Sequence, residues 1–541
     1  MNPLLFLLLL GSQPSPPDAV PAEARSGCAT MQLLQASRAG AIVAAGVTMA
    51  RPASTGFVDS ADVPVRVHTT AGVDVARATT TLSFLQSAWQ RQFVDGVYPD
   101  PLADGGAGGD DRLDVYLQLQ GPGIGAITVA GDDIPGDGRH AASAFMIVEP
   151  RLDDDLLEVY LSHELQHASQ FGVDLKESVM WFEATAVVEE IRQRPDVTEW
   201  QEALPAFQRQ PHAPIFTDGS AFSEFSLLVD RRYEYGAALF ALYLDEELGS
   251  GDGSTLAALW QASIQDDGVD AVDAADANEP DWLDALAGVT GQDAASVVLD
   301  FATWRGLVGP LAVEGDGPRH ALDGRALLQG GIIALENLRG EARITTEVDG
   351  PFQLGCVIRS GDAPLDAAIP VRVRAESTLP DGVLGIASVV IVEDDTGRTA
   401  TRSEVETRGR LVEHDVTVPA GATLILAICD LGAADADDAP VLRPIELTLS
   451  RIDVEQDGGT AVDAGSDPFL DAGTGETPPP GTCGCQSTTS SSGASPRQMR
   501  TGIGVAGMIL GLGAFIVRAL RARRRKALYR RSPPEAGPHD G

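Results

Sequence analysis

The chain has 541 residues, 44% of them hydrophobic, and a formal net charge of −39 at pH 7. That length exceeds what one hydrophobic core usually organises, so two or three domains are expected. The acidity excludes a nucleic-acid binder, which needs a basic footprint to meet phosphates.

At the N-terminus, Leu4 to Leu10 form a short leucine-rich run followed by proline and small residues, which reads as a secretory signal peptide over 1–24. Residues 25–62 form an N-terminal extension. From Val63 the pattern alternates: VPVRVHT is a strand, and VDVARATTTLSFLQSAWQRQFVD, with apolar residues at helical spacing, is a helix. A Gly- and Asp-rich loop follows, carrying Asp100, Asp104, Asp110, Asp111 and Asp114. Its spacing does not match the twelve-residue EF-hand, and a solvated acidic turn is the preferred reading over a calcium site. RLDVYLQLQ and SAFMIVEP, Ser143 to Pro150, are two further strands.

The stretch from Leu161 to Glu190, LSHELQHASQFGVDLKESVMWFEATAVVEE, concentrates the chemistry. His163, Glu164 and His167 stand in an HExxH pattern on a helix expected over Leu156 to Phe171. Residues four apart share one helix face, about 6 Å apart along the axis, so both imidazoles can point at one metal. A catalytic zinc takes three protein ligands and leaves a fourth position for water. Glu183, in WFEATA on a second helix, is the candidate third ligand, and Glu164 the base; Glu189 and Glu190 lie near enough to be alternative ligands. Burying two histidines and a carboxylate together is costly without a metal or partners, which favours the metal reading.

Downstream, Arg231 to Gly249 reads as a strongly apolar helix entered through Tyr233 and Tyr235. STLAALWQASIQ, WLDALAGVTG and DAASVVLDFATWRGLVG complete a helical lobe. After Gly317 the runs become short and β-rich, separated by turn sequences, as in an antiparallel sandwich. Cys356 and Cys429 lie in two of these runs and could pair in an oxidising compartment, or remain buried thiols. Residues 455–500 are a low-complexity linker. An uncharged apolar run from Thr501 to Val517, about long enough to cross a bilayer, precedes Arg518, Arg521, Arg523, Arg524, Arg525 and Lys526. This predicts a transmembrane helix over 501–520 and a basic cytoplasmic tail over 521–541.

HExxH with a downstream W-x-E-[GA]-x-A resembles the gluzincin metallopeptidases. HELQHASQF with WFEATA is similar to uncharacterised metallopeptidases of myxobacteria over about Val63 to Val308. The interval from His167 to Glu183 is shorter than in many gluzincins. The resemblance implies zinc held by His163, His167 and Glu183, and a tyrosine on a later helix donating to the developing oxyanion. Tyr233 and Tyr235 are the local candidates, with Tyr235 preferred because it immediately precedes Gly236. Cys483 and Cys485 in TCGCQ, a Ser/Thr-rich spacer, a glycine-containing helix and an arginine cluster resemble the C-terminal surface-sorting tails of myxobacteria.

The expected fold class is α+β: a zincin-like domain over 63–316, with a twisted sheet, an active-site helix and a helical C-terminal lobe, then an antiparallel β-sandwich over 317–454 and a single transmembrane helix. The expected function is a cell-surface Zn²⁺ peptidase acting on peptide or protein substrates and tethered to the membrane by its C-terminal helix. The alternative is a non-catalytic adhesion or display protein that keeps the fold. Oligomeric state has no signature in the sequence.

Overall fold

The computed structural model describes Thr30 and most of residues 50–452; 121–123, 132–138, 217–231, 265–279, 329–330, 336–340, 346–349, 407–408, 435–440, 321 and 334 lie outside the description, as do the rest of 1–49 and all of 453–541. The signal peptide, linker, transmembrane helix and basic tail expected from the sequence therefore lie outside the described residues. Among the described residues no helix is long and apolar enough to cross a membrane. The described part is a mixed α and β structure.

Five strands form the first sheet: β1 (Gly56–Asp59), β2 (Val65–Thr69), β3 (Leu113–Leu117), β4 (Ala126–Ala130) and β5 (Ala144–Val148), in the order β1-β2-β3-β5-β4. β2, β3 and β5 run parallel, and β1 and β4 are antiparallel strands at the two edges. The β2-to-β3 connection carries helix α1 (Val75–Trp89), started by the Asp74 side chain accepting from Ala76 N–H. One sheet face, with Val65, Val67, Val115, Leu117, Met146 and Val148, packs into the main core. Tyr116, Ile127, Phe145 and Ile147 form a smaller cluster on the other face. All three of β2, β3 and β5 are buried on both faces, but only β5, AFMIV, is an unbroken apolar run; β2 and β3 carry Arg66, His68 and Asp114 on the second face, where His68 Nε2 lies 2.8 Å from Asp114 Oδ1.

The acidic loop before β3 is organised by arginines, which its spacing could not reveal. Arg51 pairs with Asp104 at 2.5 Å and with Asp114, and Arg66 pairs with Asp59 and with Asp110 at 2.8 Å. Asp100 and Asp111 remain exposed. The carboxylates that would have met a cation already have guanidinium partners.

Helix α2 (Asp154–Phe171) opens on Asp153, whose side chain accepts from Leu156 N–H, and carries Asp154 and Asp155 in its first turn, where the helix dipole favours negative charge. From Leu156 on it is buried nearly all round, between the sheet and helix α3 (Val179–Gln193), which Ser178 caps. The helical lobe continues with α4 (Leu204–Gln208), α5 (Tyr233–Gly236), α6 (Ala238–Glu246), α7 (Ser254–Ala262), α8 (Trp282–Thr290) and α9 (Ala294–Trp304). The single helix expected over 231–249 is thus two. At the break, a Cβ on Gly236 would stand 2.7 Å from both Ala203 O and Phe207 Cβ, so the chain passes α4 too closely for a side chain there.

The remaining strands form two facing sheets, as expected for a sandwich. One has the order β11 (Gly397–Glu406), β10 (Leu384–Asp394), β13 (Thr423–Asp430), β8 (Cys356–Asp362), β6 (Gly331–Ile332); the other is β12 (Leu411–Val418), β9 (Ile369–Ser377), β14 (Ile445–Arg451), β7 (Glu341–Thr345). All pairs are antiparallel except the two-residue β6–β8 contact. Val371, Val373, Ile386, Leu424, Leu426, Leu447 and Leu449 fill the space between the sheets. The opposite face of the first of them carries Ile358, Ala387, Val389, Ile425 and Ala427, and these belong to the same core as helices α2 and α3. The boundary drawn near residue 316 is therefore bridged by packing, within one compact unit that extends to Gln456.

Cys356 and Cys429, directly opposite in the β8–β13 register, form a disulfide on that shared face. Its closure of a span of 73 residues restricts the unfolded chain by about 4 kcal/mol on the loop-entropy scale. The Cys356→Ala/Cys429→Ala double variant is expected to lose on the order of 3–4 kcal/mol in urea denaturation. Reductant should lower the denaturation midpoint of the natural chain and leave that of the variant in place; equal midpoints for the two chains would contradict the assignment.

Candidate metal centre

Helix α2 places His163 and His167 one turn apart, and α3 brings Glu183 against them. The two imidazoles are perpendicular, with centroids 4.6 Å apart. Ligand atoms of His163, His167 and Glu183 all lie within 4.8 Å of one another. Glu183 Oε2 is 3.1 Å from His163 Nε2 and 3.6 Å from His167 Nε2. Two donors held at about 2.0–2.1 Å from a tetrahedral ion stand roughly 3.3 Å apart, so the spacing matches a three-ligand site.

The three side chains are 2%, 0% and 1% exposed, respectively. His167 Nε2 and Glu183 Oε2 are buried without a hydrogen-bond partner although each points at the same centre. Burial alone would push the Glu183 carboxyl up, but the two imidazoles hold it down at about 2. It is a buried anion, and such a group needs a cation. The donor set and the orphaned atoms fit a divalent ion bound between α2 and α3.

The outer ring nitrogens are held by a second layer. His167 Nδ1 is 2.7 Å from Gln170 Oε1, while the Gln170 amide nitrogen faces Phe182 O at 3.2 Å and Thr185 Oγ1 at 2.8 Å. A carbonyl can only accept, so the amide group must point its NH₂ at Phe182, leaving Oε1 to accept from His167 Nδ1–H. That assignment leaves the Nε2 lone pair facing the centre. Thr185 in turn donates to Trp181 O at 2.7 Å and accepts from Trp260 Nε1 at 3.1 Å, tying α7 to the site. His163 Nδ1 lies 2.5 Å from Glu190 Oε1. Burial raises the Glu190 carboxyl and the His163 contact opposes that rise. Glu190 thus supports a ligand rather than replacing Glu183, and Glu189 turns away to pair with Arg192 at 2.9 Å.

Tyr235, at the start of α5, donates to the other Glu183 oxygen, Oε1, at 3.0 Å, and its ring stacks on His163 with centroids 6.2 Å apart. Tyr233 points elsewhere, donating to Pro214 O at 3.1 Å. Of the two tyrosines only Tyr235 reaches the site, and there it holds Glu183.

Glu164 is also buried, with its carboxylate turned toward the edge strand β4. Its Oε2 accepts from Thr128 Oγ1 at 2.7 Å and from Thr30 Oγ1 at 2.8 Å. Behind His163, Tyr160 donates to Glu199 at 3.2 Å. Burial pushes Glu199 up to about 7, assisted by the neighbouring Glu190 charge. Gln170, Thr185, Tyr160 and Thr128 were not singled out by spacing. Gln170 did carry a signal, as a polar residue three positions after His167 on a helix otherwise set to be buried.

No family model and no curated protein matches the chain. Among solved structures it is similar over 23% of its length to CorA, a surface-associated copper-binding protein of Methylomicrobium album BG8, at 7% identity, 98% coverage of that chain and a TM-score of 0.17. The pre-peptidase C-terminal domain of a Bacillus anthracis collagenase is similar at 10% identity over 23% of this chain and 95% of that one, with a TM-score of 0.14. Tripeptidyl peptidase 2 is similar at 10% identity and a TM-score of 0.18, over 23% of this chain and only 11% of that one. TM-scores at this level define no shared fold.

Proposed function

We propose that the chain is a zinc-dependent peptidase of zincin type, exported and held at the cell surface by its C-terminal segment. The observation that carries the reading is the convergence of His163 Nε2 and His167 Nε2, all buried, on Glu183 Oε2 at 3.1 and 3.6 Å, with the ligand atoms of the three residues within 4.8 Å of one another. A zinc ion held there supplies a Lewis acid for a carbonyl and lowers the pKa of a water. The sheet with an antiparallel edge strand packed on the HExxH helix supports the zincin assignment, and the Cys356–Cys429 disulfide supports an oxidising compartment.

Within this reading the chain's own groups divide the work. Glu190 and Gln170 fix the two imidazoles with Nε2 unprotonated. Tyr235 holds Glu183 through Oε1 and leaves Oε2 to the ion. The Glu164 carboxylate takes the proton of the attacking water and passes it to the leaving amine nitrogen. The low exposure of Glu164, Gln170, Glu183 and Glu190 keeps bulk water from screening them.

Metal analysis of the purified full-length chain is expected to find about one zinc per chain, lost in His163→Ala. Glu164→Gln should keep the metal and lose cleavage of a peptide library by at least about a hundredfold. A metal-free natural chain, or a Glu164→Gln chain that cleaves normally, would sink the proposal.

A separate measurement reads the supporting layer. Gln170→Leu removes the acceptor that sets the His167 tautomer, and zinc affinity in chelator competition is expected to fall roughly 10–100-fold. Unchanged affinity would mean that Gln170 does not orient the ligand.

A further inference from the structure

At the end of α1 the chain makes one π-helical turn, Gln90–Val94, closed by Asp95 N–H donating to Gln90 O at 2.7 Å. Such turns are rare and recur at functional sites. This one sets Arg91 and Gln92 against a cavity of about 260 Å³, whose wall is completed by Glu189 and Arg192 of α3 and by Asp252 ahead of α7. His163, His167 and Glu183 do not line it.

The polar groups of this cavity are incompletely matched. Arg91 Nε donates to Gln193 Oε1 at 3.1 Å, but its Nη2 is buried without a hydrogen-bond partner. Burial pulls the guanidinium below its ordinary pKa, as expected of a cation with no anion beside it. Gln92 is 1% exposed, and its amide nitrogen donates to Ser162 O at 2.9 Å and faces Ser162 Oγ at 2.8 Å. A carbonyl can only accept, so the amide orientation is fixed and Oε1 is left buried and unpaired. Arg192, by contrast, is neutralised by Glu189 at 2.9 Å and by Asp245. Asp95 and Asp252 are exposed and meet neutral donors, Gln90 Nε2 at 3.0 Å and Ser254 N–H at 2.9 Å. The unmatched set is thus one guanidinium, two carboxylates and one buried acceptor.

We propose that this cavity binds a basic α-amino acid, free L-lysine or L-arginine. The α-carboxylate accepts from Arg91 Nη2, the α-ammonium donates to Gln92 Oε1, and the side-chain cation meets Asp95 and Asp252. Each charge of the ligand has its opposite in the wall. A simple anion would face two carboxylates, and a diamine would leave the buried Arg91 donor unsatisfied, which costs more than a missing surface contact. The site goes beyond the peptidase reading and does not rest on it.

The test is calorimetric titration of L-lysine into the purified full-length chain, expected to show about one equivalent bound. Cadaverine, which keeps both amines and lacks the carboxylate, and L-leucine, which lacks the side-chain cation, are each expected to bind at least about tenfold more weakly. Cadaverine also reads the non-specific attraction of a cation to a chain of net charge −39. Arg91→Gln is expected to weaken lysine binding at least about tenfold. Asp252→Asn, an exposed change that leaves the core intact, should weaken lysine severalfold and leave leucine unaffected. No lysine binding to the natural chain, cadaverine binding as tight as lysine, or lysine affinity unchanged in both variants overturns the proposal. Lysine binding that disappears in His163→Ala would place the ligand on the metal and overturn it equally.

Discussion

A carboxylate buried against two imidazoles sets the terms for the helical region around it. Glu183 lies between α2 and α3 with one oxygen turned to the histidines and the other to Tyr235. Taking such a charge out of water is expensive unless cations and donors replace the lost hydration. Everything nearby serves that replacement. Two helices must meet at the right height, their ligands must present lone pairs inward, and the second layer must keep them so. The His167–Gln170–Thr185–Trp260 chain runs from the outer nitrogen of His167 to α7 through groups that each satisfy the next, and a connected buried polar network of this kind favours one arrangement over its neighbours.

That dependence also separates the two faces of α2. On the α3 side lie His163, His167 and their partners; toward the sheet, Glu164 is met by hydroxyls from β4 and from Thr30. Glu164 and the two histidines are adjacent in sequence, yet their environments come from different layers of the fold. Under the proposed function, metal affinity would be altered through α3 and α7, and proton transfer through the edge strand.

Much of this was legible in the sequence where periodicity or local spacing carries the information. His163, His167 and Glu183 follow from helical geometry together with a second helix close behind, and the structure brings all three together despite the short interval between His167 and Glu183. The antiparallel sandwich is legible in strands such as β9 and β12, whose burial alternates residue by residue. What spacing could not supply are partners distant in sequence. Arg51 and Arg66 neutralise the acidic loop, Thr30 and Thr128 meet Glu164 across separations of 134 and 36 residues, and nothing local announces either. The need for glycine at 236, where α5 meets α6, has the same cause, since a side chain there would meet Ala203 and Phe207.

The sheet built on β10 and β13 is buried on both faces, with the second sandwich sheet on one side and the helical lobe on the other. In function-neutral terms the sandwich is the floor of the helical lobe rather than a module appended to it. Removing it would uncover Leu299 and its neighbours on α9 along with the sheet face they pack against, leaving an apolar patch of the kind that drives aggregation. Truncation after α9 or exchange for another sandwich would therefore have to rebuild this buried seam residue by residue. The two halves of the chain constrain each other's sequences across it, as the two sides of a single core do.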